Sequence, residues 1–115
     1  MTIRILQNPI TEKELREMAQ EHFGLFVKAV VDIRQGIVAI GGELHADGER
    51  LLIEAGSHQE DLWGINVYPD RPDRERIEFN SMINIRPSAG NLSRDVEHTA
   101  IREKIIAVTE KFIDA

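Results

Sequence analysis

Cysteine is absent from the 115 residues. That removes disulfide frameworks, thiol nucleophiles, cysteine-based zinc sites and iron–sulfur clusters from consideration. Aromatic residues are scarce at 5%, with one Trp and one Tyr. Positive charge is in deficit, since 14 Lys and Arg against 20 Asp and Glu leave a net charge of −6. Non-specific duplex binding needs a surplus of cations on one face, so nucleic acid is the least favoured partner. No apolar run approaches the roughly 18–20 residues needed to cross a bilayer, so no membrane partner is expected. Residues Met1 to Leu15 contain neither an apolar stretch of signal-peptide length nor a small-residue cleavage site. These absences favour a soluble cytoplasmic protein. The length fits one domain, 1–115, that buries roughly two-thirds of its unfolded surface without a disulfide or metal staple.

The apolar residues are patterned. Ile3 to Leu6 reads as an opening strand, and Thr11 followed by Glu14 has the spacing of a capping box. Leu15, Met18, Ala19 and His22 or Phe23 continue the stripe of an amphipathic helix that stops at Gly24. From Val27 to Ile33 the period changes to two, the signature of a strand. A turn at Arg34-Gln35-Gly36 leads to a hairpin partner over Ile37–Leu44, where Gly41-Gly42 predicts a bulge or a close approach. Asp47-Gly48 is a turn signal, which makes Arg50–Ala55 a third strand. The rival reading is a helix over Ala46–Ala55 with Gly56 just past its end, disfavoured because Gly48 weakens so short a helix. Asp61–Tyr68 and Glu75–Arg86 read as a hairpin around the charged, proline-containing loop Pro69–Arg76. A final helix is expected from Asp95 to Ile113, with Ile101, Ile105, Val108 and Phe112 as its stripe. The expected fold is α+β: a mainly antiparallel β-meander of four to six strands, with two amphipathic helices packed on one face.

The other face of that sheet is expected to be polar, carrying Lys28, Asp32, Arg34, Glu43, His45, Glu54, Asn66, Tyr68, Glu78, Asn80, Asn84 and Arg86. Two constellations have chemical interest. Glu43, His45 and Asp47 stand at i, i+2 and i+4, so a continuing strand would point all three to one side, with His58 across a hairpin. Imidazole and carboxylates together would suit zinc, manganese or iron. The plainer reading is a turn set by Asp47. The second constellation is the loop containing Asn84, Arg86, Ser88, Asn91, Ser93 and Arg94, just before the last helix. Guanidinium groups and free N–H groups at a helix start suit a small anion. The plainer reading there is a helix cap at Ser93 or Asp95 and an Arg86–carboxylate pair. Ser57, His58 and Asp61 are close in sequence, but a catalytic triad is defined by convergence in space. Trp63 is expected to be a core or interface aromatic with its indole N–H bonded locally.

Val30-Val31-Asp32-Ile33, Gly41 through Asp47, Gln59 through Gly64 and Ile83-Asn84-Ile85-Arg86-Pro87 resemble a family of small bacterial proteins known only as a domain of unknown function. The resemblance runs from about Val27 to Ile106 and implies a bacterial, cytoplasmic, single-domain protein. It implies no activity or cofactor, and the motifs call for no cofactor either. The expected function is a non-enzymatic binding or protein-interaction module, homodimeric, using the polar sheet face or its edge. Its expected partners are a second copy, an unidentified protein or a small anion. The alternative is a small enzyme or an anion- or metal-binding protein built from Glu43, His45, Asp47, His58 and the Arg86–Arg94 loop, which requires those groups to converge.

Overall fold

The computed structural model describes residues 2–113. The elements are β1 (Ile3–Ile5), α1 (Glu12–Glu21), β2 (Val27–Asp32), β3 (Ile37–Gly41), α2 (His45–Glu54), β4 (Leu62–Val67), β5 (Ile77–Glu78) and α3 (Thr99–Phe112). The fold is α+β, built on a five-stranded sheet of order β1-β3-β2-β4-β5 in which every neighbouring pair is antiparallel. β2 and β3 form the expected hairpin, pairing Val30 with Ala39 and Val31 with Val38. β3 and β4 lie on opposite sides of β2, so the chain between them crosses over β2, and α2 makes that crossing. No helix among the described residues is long and apolar enough to cross a membrane.

α1 starts where the sequence places it. Thr11 Oγ1 accepts from the Glu14 N–H at 3.1 Å, while the Glu14 carboxylate turns to Arg4 at 3.5 Å. Leu15 from α1, and Ile105 and Phe112 from α3, pack on the sheet face formed by Ala29, Val31, Trp63 and Ile65. This is the expected pair of helices on one face. α3 begins later than expected, at Thr99, and neither Ser93 nor Asp95 caps it. The segment before it is wound around Asn91, and Asp95 is paired with Arg102 at 2.6 Å.

Two expectations are corrected. Residues 50–54 are not a strand but the second half of α2, with Ala55 as its C-cap. The glycine that argued against a helix is what allows this one: a Cβ on Gly48 would sit 2.8 Å from Val30 Cγ2, so only glycine lets the helix lie this close to β2. Through this contact Val30, Ala39, Leu52 and Leu62 form a second apolar layer on the face opposite α1 and α3. The second correction is the strand expected over Glu75–Arg86. Only Ile77 and Glu78 pair with β4. Ser81 Oγ then accepts from the Ile83 N–H at 3.3 Å, and the chain continues as 3-10 turns at Met82–Asn84 and Pro87–Ala89. Side-chain bonds to nearby backbone outcompete the ladder there.

Candidate functional site

The corrected α2 rearranges the first constellation. His45 is the first residue of the helix, so residues 45 and 47 no longer project to one side as they would from a strand. Asp47 turns back, its Oδ2 accepting the Leu44 N–H at 3.1 Å. Glu43 and His58 are exposed. Among the described residues no three His, Asp or Glu side chains gather around a point that would hold a metal ion.

The second constellation is gathered, but around itself. Asn84 is fully buried. Its Oδ1 accepts the Gly64 N–H at 2.8 Å, and its Nδ2 donates to Gly64 O at 2.9 Å and to Arg94 O at 3.0 Å. The side-chain amide thus substitutes for the backbone of a neighbouring strand where β5 has ended. Asn91, also fully buried, donates to the carbonyls of Asn84, Ser93 and Asp95 and accepts the Glu97 N–H. Arg86 donates to the carbonyls of Glu60, Leu62 and Ile83 and lies over the Trp63 ring at 4.5 Å. Burial pulls its pKa down, against the Glu49 and Asp61 charges. The expected Arg86–carboxylate pair is replaced by backbone carbonyls. The N–H groups of Leu92 and Ser93 do hold an anion: the Glu97 carboxylate, at 2.9 Å from each and 2.8 Å from Ser93 Oγ. Those bonds, led by Ser93, hold the Glu97 carboxyl below its usual range. Ser88 is exposed in the 3-10 turn, and Arg94 lines a cleft. Trp63 is buried as expected, but its indole N–H has no partner among the described residues.

That cleft lies at the N-terminus of α2 and measures about 210 Å³. Lys28, His45, Ser81 and Arg94 line it together with Leu44, Ala46, Met82 and Ile83. Two features of the backbone build it. Lys28 alternates away from the main core and stands opposite Asn66 across the β2–β4 ladder. Gly64 leaves room for His45 and Ser81 to pack over β4. A Cβ at that point would lie 2.5 Å from Ser81 Oγ and 3.1 Å from His45 Cδ2.

His45 is 8% exposed, and its Nε2 lies 2.7 Å from Ile65 O, the geometry of an Nε2–H donor. Burial first, and then the Lys28 and Arg94 charges, push its pKa down to about 4, against the pull of the Ile65 carbonyl and of the Asn66 side chain. At neutral pH the ring is uncharged, so the positive charge on the cleft comes from Lys28 and Arg94. Neither has a carboxylate partner within 4 Å among the described residues. Lys28 Nζ instead lies 5.2 Å from the centre of the Phe23 ring, over its face. Leu44 and Met82 stand on the rim, 58% and 65% exposed. Of the residues lining this cleft, His45 and Arg94 belong to the two sequence constellations, one to each. Lys28 was legible as polar-face from the alternation of β2, whereas Ser81, Leu44 and Met82 carried no signal, because the turn and helix that present them were read as strands.

Comparison with known proteins finds no curated protein and no solved structure that matches this chain. A family described as "Protein of unknown function (DUF5674)" matches residues 4–112, nearly the whole sequence, and the chain belongs to that family.

Proposed function

We propose that the protein is a non-enzymatic binding module of the bacterial cytoplasm, and that it binds through the cleft at the start of α2. The observation that carries this reading is the pair Lys28 and Arg94 on one apolar-rimmed cleft, neither with a carboxylate within 4 Å among the described residues, in a chain whose net charge is −6. Two cations and the first N–H groups of a ten-residue helix favour an anionic group there. Against catalysis stands the orientation of His45. It turns the carbon edge of its ring, Cδ2, toward the point where Ser81 also packs, while Nε2 is tied to the Ile65 carbonyl. Among the described residues Ser81 Oγ makes no hydrogen bond to His45, and Nε2, the ring nitrogen next to that edge, is committed to Ile65 O.

Titration of ¹⁵N-labelled protein with acetate and with phosphate is the test. The amides of Lys28, Ala46, Ser81 and Arg94 are expected to shift together and saturably, and a Lys28→Gln/Arg94→Gln variant to lose the effect. Shifts scattered over the surface refute the site. Hydrolysis of a chromogenic ester that disappears in Ser81→Ala refutes the non-enzymatic assignment.

A homodimer is a second reading, favoured by the four apolar side chains that, among the described residues, are exposed by more than half: Leu25, Leu44, Met82 and Leu92. Sedimentation velocity separates the two readings. A dimer that Met82→Glu dissociates supports the homodimer, and a monomer at all concentrations refutes it.

A further inference from the structure

β1 is an outer strand of the sheet, and only half of its backbone is used. The Leu6 N–H donates to Val38 O at 2.9 Å, and the Gly42 N–H donates to Thr2 O at 3.1 Å. These two bonds set the phase of the ladder with β3. Bonded pairs alternate with unbonded ones in an antiparallel ladder, so Arg4 bonds to Ile40, while Ile3 and Ile5 turn their N–H and C=O groups away from β3. Among the described residues no turn or loop bond reaches those four groups. They are spaced and directed to accept one more strand.

The protein is hollow on both faces of this edge. Ile3 and Ile5 lean to the α2 side, Ile3 against Gly42 and Gly48, and Ile5 on the Val30–Leu52 layer. There a groove of about 310 Å³ lies between Ile3 and the α2 residues Asp47, Arg50, Leu51 and Glu54. Those four stand at i, i+3, i+4 and i+7, on one face of the helix. Arg4 points to the other side, where it meets Glu14 of α1 at 3.5 Å on the wall of a second hollow, of about 390 Å³. Side chains alternate along a strand, so an added strand finds room on both faces. Its residues opposite Ile3 and Ile5 fall toward the α2 groove, and the residue between them falls beside Arg4. Neither hollow shares a lining residue with the Lys28–Arg94 cleft.

A second copy of the chain fits this edge poorly. Two β1 strands paired antiparallel over their whole length would set Arg4 directly opposite Arg4 of the other copy. That is the closer, unbonded kind of pair, and like charges there repel. We propose that β1 is a strand-addition site for an extended segment of a different polypeptide, paired antiparallel with Ile3–Ile5 and reading apolar, acidic, apolar. The two apolar side chains lie against Ile3 and Leu51 in the α2 groove. The carboxylate faces Arg4, which is half-exposed and held by Glu14 only at 3.5 Å. Main-chain bonds to Ile3 and Ile5 supply the affinity, and the side chains on the two faces supply the choice of segment. The arginine that draws an acidic segment also keeps the β1 edges of two copies apart.

The test titrates the ¹⁵N-labelled full chain with four peptides: acetyl-Thr-Val-Glu-Val-Thr-amide, the same with Lys for Glu, and the first peptide N-methylated either on the valine after Glu or on Glu itself. The first peptide is expected to shift the amides of Ile3, Arg4, Ile5 and Arg50 together and saturably. Methylation of the valine nitrogen removes a bond to Ile5 and places a methyl group against β1, so it is expected to weaken binding about 10-fold or more. The Glu nitrogen faces away from β1, and its methylation is expected to change binding by about twofold at most. The Lys peptide is expected to bind about 3- to 5-fold more weakly, and Arg4→Glu to reverse that preference. Equal binding of the two N-methylated peptides overturns main-chain pairing, and equal binding of the Glu and Lys peptides overturns the acidic assignment. Shifts at Lys28 and Arg94 in place of β1 put the peptide in the cleft and overturn the edge site. A dimer in sedimentation velocity that protects the Ile3 and Ile5 amides from hydrogen exchange assigns the edge to a second copy and overturns this inference. So does the absence of any shift up to about 10 mM peptide. The acetate and phosphate titrations of the cleft are unaffected by any of these outcomes.

Discussion

Replacing Gly48 by alanine tests the most consequential contact in the fold, because two effects of known size oppose each other there. Alanine is better than glycine in a helix by about 1 kcal/mol. Against that, the added Cβ would stand 2.8 Å from Val30 Cγ2, 3.4 Å from Val30 Cβ and 3.6 Å from Ile3 Cδ1. Val30 is 1% exposed, is branched at Cβ, and packs among Ala39, Leu52 and Leu62, so it has no free rotamer to retreat into. Overpacking of this kind costs about 1–3 kcal/mol, and rigid surroundings place it in the upper part of that range. The steric term wins, and Gly48→Ala is expected to destabilise the protein by roughly 1–2 kcal/mol. For a chain of this length that lowers Tm by about 4–8 °C. Urea denaturation of four proteins measures it: wild type, Gly48→Ala, Val30→Ala and the double variant. Val30→Ala alone should cost about 2 kcal/mol for its lost methyl groups. With Cγ2 gone, the helix-propensity term is left alone, so Gly48→Ala on that background should stabilise by up to about 1 kcal/mol. The expected coupling is therefore about 2 kcal/mol or more, well outside the scatter of independent sites. Stabilisation by Gly48→Ala in the wild type, or additivity of the two changes, would refute the close docking of α2 on β2.

Asn84→Ala removes three hydrogen bonds, the two to Gly64 buried and the one to Arg94 partly so, and is expected to cost about 3 kcal/mol, read as a lower denaturant midpoint. Asn84→Asp should be worse than alanine, since it turns a carboxylate toward two carbonyls. Two pH windows should separate. His45 has a folded pKa pushed down to about 4 against an ordinary 6.5, so it binds fewer protons folded than unfolded. Its contribution is complete above pH 6.5 and is lost as pH falls from there to about 4. His45→Gln should flatten stability across that window, measured as urea midpoint against pH. Burial alone would raise the Asp32 pKa, but bonds from Ser57 at 2.6 Å and from Gln35 and Arg34 at 2.9 Å hold it below 3.8 overall. The stability it contributes is present above about pH 4 and is lost on further acidification. Asp32→Asn should accordingly remove a component of the acid unfolding below pH 4 and leave the window above it unchanged.

What could be read along the chain was whatever a local pattern encodes. The Thr11 half of the capping box, the stripe ending at Phe112 and the alternation of β2 each need only neighbours within a turn or two, and each stands in the structure, while the Glu14 carboxylate goes to Arg4 instead of closing the box. So do the hairpin at Gly36 and the placing of α1 and α3 on one face. Gly48 and Asn84 defeated the same method, because their meaning lies in what sits across from them. A glycine lowers helix propensity wherever it stands, and only the approach of Val30 turns that defect into a requirement. The alternation from Ile77 to Ile85 is a strand pattern until Ser81 and Asn84 spend their side chains on the backbone of Ile83 and Gly64. The candidate site was scattered for the same reason. Lys28, His45, Ser81 and Arg94 are spread over 67 positions of sequence and meet because α2 crosses β2 and the 3-10 turns fold back over Gly64. Local spacing carries information over a few residues. The cleft depends on packing between elements distant in the chain, where the absence of one Cβ or the partner of one amide settles which groups face each other.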